Sequence, residues 1–185
     1  MTPSTHRGRL MADGPTRRDY LTALLLIVGP TALTATAVAA LFADTARDLL
    51  PPLGSTDHSA GAIARIGLNN IRIALVLLVL AWLAGSWRRR ETRAQAAGFA
   101  AVLGAAVVPI ALSTVVIGTA IGAYPAQILT GVATHAPLEI GALSLSLSAV
   151  IRSCRAPDIP VRTLVQIGVL NIVLLSAAAV LEVLA

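Results

Sequence analysis

Residues 68–90 read LNNIRIALVLLVLAWLAGSWRRR, and this stretch decides the fold. Asn69, Asn70 and Arg72 come first, an almost uninterrupted apolar run follows, and Arg88, Arg89 and Arg90 close it. A run of this length and composition is a membrane-spanning helix, because a hydrocarbon core of about 30 Å is crossed by ~20 helical residues. Its polar residues then lie inside the span, where each ionisable group is costly and needs a reason.

The whole chain supports that reading. With 56% hydrophobic and 12% charged residues in 185, it cannot be wrapped as one soluble core. The expected fold class is an all-α integral membrane protein with five apolar segments, at 20–43, 62–87, 94–123, 135–151 and 163–184. Residues 1–19 form a basic tail, and 20–185 form a single transmembrane domain. The segment 123–134, AYPAQILTGVAT, is apolar but broken by Pro125 and Gly131, which predicts a short broken or re-entrant piece before the fourth span.

The formal charge of +5 comes from arginine alone, since lysine is absent. Arg7, Arg9, Arg17 and Arg18 precede the first span, and Arg88, Arg89, Arg90 and Arg93 follow the second. Arg152, Arg155 and Arg162 lie between the fourth and fifth. Positive residues mark the cytoplasmic side, so the N-terminus is expected inside and the loop 44–61, with three aspartates against Arg47, outside. The charge therefore reads as topology, and no aromatic-interleaved basic patch points to nucleic acid. TRRDYL at 16–21 resembles a twin-arginine export signal, but the apolar run after it exceeds the 7–15 residues of a signal core, which predicts a retained span. Pro30 and Pro109 fall inside spans, and Gly118 with Gly122 gives a GxxxG spacing that permits close helix approach. The one cysteine, Cys154, has no internal disulfide partner.

Helical rise brings the intramembrane polar groups to similar depth. Counted from Arg88, Arg72 stands at ~24 Å, Asn69 at ~28 Å and Arg65 at ~34 Å. Counted from Arg152 and Arg162, Glu139 stands at ~20 Å, His135 at ~26 Å and Glu182 at ~30 Å. Arg65, Asn69 and Arg72 share one helical face, whereas Asn70 points about 100° away from Asn69. Charges at one depth should pair, and Arg72 with Glu139 is the expected pair. Asn171 is expected to make an interhelical hydrogen bond. His135 and Glu139, at i and i+4, are the acid/base candidates. Asn69, Asn70, Arg72, Glu182 and Arg65 are candidates for ion pairing or for orienting a substrate. No nucleophile elbow or zinc-binding spacing is present in the sequence, so neither a metal nor another cofactor is expected.

Three motifs carry a family resemblance. NNIRIAL at 69–75, HAPLEIGAL at 135–143 and LLSAAAVLE at 174–182 resemble, in order and position, the motifs of the stage II sporulation protein M family. Those motifs are an asparagine pair before arginine, a His-Gly-x-x-Glu element opening a span, and a glutamate near the end of the last span. The likeness covers roughly residues 62–185, with Ala136-Pro137 standing where the family usually has glycine. It implies a multi-pass protein of a bacterial plasma membrane that works with a membrane-associated partner protein. The implied work is maturation of a ribosomally made peptide antibiotic, by epimerisation, cyclisation or leader processing of a hydrophobic peptide. The alternative is a non-catalytic scaffold for cell-wall-remodelling enzymes, or an export or immunity component.

Overall fold

The computed structural model describes residues 14–49, 60–88, 93–126, 128, 133–155 and 159–184. The helices are α1 (Arg17–Leu41), α2 (Ala43–Leu49), α3 (Ala60–Arg88), α4 (Arg93–Ala123), α5 (Ala136–Arg155) and α6 (Val161–Leu184), and among the described residues there is no strand. Five of them coincide with the five apolar segments to within four residues at each end. By length and composition, Arg17–Leu41 in α1, Gly67–Ser86 in α3 and Val161–Glu182 in α6 are sufficient to cross a membrane, and Val107–Ala123 is a shorter apolar stretch. Among the described residues the protein is thus all-helical, with three helices long and apolar enough to cross a membrane. The basic tail up to residue 13 and most of 127–132 lie outside the described residues.

Helix α1 begins where a reciprocal capping box satisfies its first donors. Asp19 N–H donates to Thr16 Oγ1 at 3.2 Å, and Thr16 N–H donates to Asp19 Oδ2 at 2.9 Å. The TRRDYL stretch therefore carries a helix-start signal. Both α1 and α4 continue unbroken through their prolines.

The bundle has two unlike halves. On one side α1 packs along α4 in parallel, backbone close to backbone. A methyl group added at Gly118 would lie 2.7 Å from the Thr31 carbonyl oxygen, and one added at Gly122 would lie 2.7 Å from that of Ala35. Only glycine allows this approach, so the GxxxG spacing is a packing site. Helix α2 is fastened to the end of α4, because Arg47 Nε donates to the Ala123 carbonyl at 3.0 Å while its Nη1 pairs with Asp44 at 2.8 Å. A cation there also faces the negative end of the α4 dipole.

On the other side α3, α5 and α6 pack together, with α6 antiparallel to α3. Gly67 meets Ala179 at one end of that contact, and Gly168 meets Leu78 nearer the other. Helix α5 touches α1, α3 and α6, which explains why this shortest of the long helices buries so much of its length. Leu77, Leu78, Ala81, Leu147, Val150, Leu164 and Ile167 form the core around it. Buried serines 144, 146, 148 and 153 also lie on α5.

Candidate functional site

The site forms where the first turn of α5 meets α3. His135 precedes the helix, and its carbonyl accepts from the N–H groups of Leu138 at 3.0 Å and Glu139 at 3.3 Å. Pro137 sits in this first turn, where a missing N–H costs no helical bond, so the helix holds through it. Glu139 is placed in the same turn, where the helix dipole favours negative charge. The i, i+4 relation of His135 and Glu139 read from the sequence is thus realised at a helix start.

Asn70 on α3 donates a hydrogen bond from Nδ2 to Glu139 Oε1. Both residues are half-buried. This corrects the expected pairing of Glu139 with Arg72. Arg72 and Asn69 are exposed on α3, and among the described residues neither makes a hydrogen bond or ion pair. The cause is rotational: Asn70 lies about 100° round the helix from Asn69, and that turn brings it, and not the Arg72 face, against α5. Charge type and depth alone had favoured arginine. The neutral amide occupies the position instead.

Glu182, on the last turn of α6, is half-buried. His135 is 6% exposed, and its Nδ1 is buried with no hydrogen-bond partner. The described structure thus brings Asn70 against Glu139, with His135 one turn before it in the chain, and leaves Asn69 and Arg72 outside. Arg65 belongs to α3, but its side chain lies outside the described residues. Among the described residues no cluster of three or more His, Cys, Asp or Glu side chains forms a metal-binding group. Chemically the arrangement offers a carboxyl group and an imidazole as proton donors or acceptors, with an amide that orients the carboxyl.

Asn171 fulfils its expected role, donating from Nδ2 to Ser146 Oγ at 2.6 Å across α6 and α5. The partner serine was not singled out by sequence reasoning. At the far end of α5, Arg155 Nη1 pairs with Asp19 Oδ1 at 2.6 Å, joining α5 to α1. Asp19 is 2% exposed, and it too went unnoticed in the sequence. The pattern Thr16-x-x-Asp19 before an apolar run was the available signal. A cavity of about 210 Å³ lies near this end, lined by Trp82, Gly85, Ser86, Ser153, Ile159 and Leu164 among others.

Comparison with protein families, curated proteins and solved structures gives no match to this chain.

Proposed function

We propose that the chain is a membrane subunit of a multi-protein complex that acts on a hydrophobic peptide, in maturation of a ribosomally made peptide antibiotic. In this reading five helices cross a bacterial plasma membrane with the N-terminus inside, α4 and α5 completing the set begun by α1, α3 and α6. The distribution of arginines supports the orientation. The resemblance of residues 69–75, 135–143 and 174–182 to the stage II sporulation protein M family motifs supplies the substrate class and the need for a partner.

One observation carries the chemical part. Glu139 is held by a neutral amide from Asn70, one turn from a buried imidazole whose Nδ1 is unpartnered. A carboxyl group used only to lock helices is best served by a cation. A carboxyl group that gains and loses protons is better oriented by a donor that does not fix its charge. His135 and Glu139 would exchange a proton with a backbone Cα or amide, and the partner chain would complete the catalyst.

The test is Glu139→Gln in the reconstituted complex. Glutamine keeps Oε1 as acceptor for Asn70, so the complex should assemble while product formation falls by about 10²–10⁴-fold, the usual weight of a general acid or base. Normal product from Glu139→Gln would leave the scaffold reading. That second reading has its own support in the contacts of Asn171 with Ser146 and of Asp19 with Arg155, which serve packing and need no substrate.

A further inference from the structure

Helix α3 carries a second polar feature, on the face turned away from the bundle. Ala74, Leu77, Leu78 and Ala81 are buried, whereas Leu68, Asn69, Arg72, Val76, Val79 and Trp82 are exposed. This outward face is apolar along most of its length and bears an amide and a guanidinium at one end. Asn69 and Arg72 are one helical turn apart and therefore neighbours on the surface.

Their depth is informative. Counted up from Arg88 by the helical rise, Arg72 stands at ~24 Å and Asn69 at ~28 Å, so in a hydrocarbon core of about 30 Å they lie ~6 Å and ~2 Å inside its far boundary. An arginine on its long apolar stem reaches the polar boundary from such a depth, but the headgroup layer occupies a further ~5–7 Å outside the hydrocarbon. A phosphate that meets the guanidinium must therefore sit lower than its neighbours. A protein carboxylate could reach it only on a partner segment that itself lies against this apolar face. A lipid phosphate stands just above the boundary and brings acyl chains that match Val76, Val79 and Trp82. Guanidinium and phosphate also suit a two-pronged hydrogen bond, and the Asn69 amide adds a donor to a third direction.

We propose that Asn69 and Arg72 form a lipid-phosphate site on the outward face of α3, which holds one anionic lipid headgroup below the ordinary headgroup plane. The assignment asks nothing of Glu139 and stands whether or not the chain processes a peptide.

The experiment uses the full chain, reconstituted in phosphatidylcholine nanodiscs containing phosphatidylglycerol and then released for native mass spectrometry under graded activation. The wild type should retain one phosphatidylglycerol to higher activation than any phosphatidylcholine. Arg72→Gln should weaken that retention about tenfold, and Arg72→Lys, which keeps the charge but not the planar fork, should fall between them. Asn69→Leu should give a smaller loss. Arg72 is exposed, so circular dichroism should show Arg72→Gln folded as the wild type. Equal lipid retention by wild type and Arg72→Gln would overturn the proposal. So would a mass spectrum in which Arg72→Gln removes a second copy of the chain while lipid retention is unchanged, because Arg72 would then serve a protein interface.

Discussion

At its C-terminal end α5 is tied to α1 through Asp19, a carboxylate 2% exposed that receives Thr16 N–H, Thr16 Oγ1–H and the Arg155 guanidinium. At its N-terminal end α5 is tied to α3 through Glu139, a half-buried carboxyl that receives one amide donor from Asn70. A carboxylate has about four acceptor positions. Asp19 has most of them filled, and by a cation as well as neutral donors. Glu139 has positions to spare. The two ends therefore differ in what a substitution should do: at the Asp19 end it should cost stability, and at the Glu139 end it should cost chemistry first.

The largest effect on stability is expected from Arg155→Ala. Removing one member of a fully buried pair costs about 3–5 kcal/mol, but the Arg155 side chain is 45% exposed, which lowers the expectation to about 1–3 kcal/mol. Thr16 continues to satisfy one oxygen of Asp19, so the loss is partial. Adding Asp19→Asn to Arg155→Ala should recover part of it, because no stranded charge remains. Thermal unfolding in detergent measures both. An Arg155→Ala variant as stable as wild type would break the contrast between the ends, leaving the capping box alone to hold the start of α1.

A smaller effect is expected from Asn70→Leu, which removes the donor to Glu139 at a cost of about 1–2 kcal/mol. Asn70→Asp sharpens the test. It sets a second carboxyl against Glu139, so repulsion exists only when both are ionised. At low pH one is protonated and can donate to the other; as pH rises both become charged. The unfolding temperature of Asn70→Asp should therefore fall relative to wild type with rising pH. A constant difference across the pH range would show that Asn70 and Glu139 do not face each other as described.

Legibility of the molecule from its sequence followed the physics of each feature. Segment ends were readable because apolar length is set by the bilayer and by helical rise, quantities that need no partner. The same rise gives the similar depths expected of Arg72, Asn69, Glu139 and Glu182. Which side chain meets Glu139 was not, because azimuth depends on how α3 is rotated against α5, and a one-residue choice between Asn70 and its neighbours is worth 100°. Gly118 and Gly122 show a permissive spacing, but only the α1 backbone, 2.7 Å from where a Cβ would stand, gives it a consequence. Asp19 was overlooked because its stretch also reads as an export signal, and a capping box looks the same whether or not a distant Arg155 arrives.

The smallest effect is expected midway along α5, where neither end's chemistry applies. Asn171 Nδ2 donates to Ser146 Oγ at 2.6 Å, while Asn171 Oδ1 is buried without a partner. The bond stabilises and the orphan acceptor opposes it. Interhelical hydrogen bonds in membrane proteins average about 0.6 kcal/mol, and an unsatisfied buried acceptor costs about 1–3 kcal/mol, so the two contributions are of comparable size. Asn171→Leu, which removes both, should then change stability by no more than ~1 kcal/mol, and the direction is set by how well leucine packs. Asn171→Leu with Ser146→Ala in a double-mutant cycle isolates the bond itself, with an expected coupling of about 0.6 kcal/mol. A coupling above about 2 kcal/mol would place the main lock of α5 at its middle, and would remove the reason for assigning stability to the Asp19 end and chemistry to the Glu139 end.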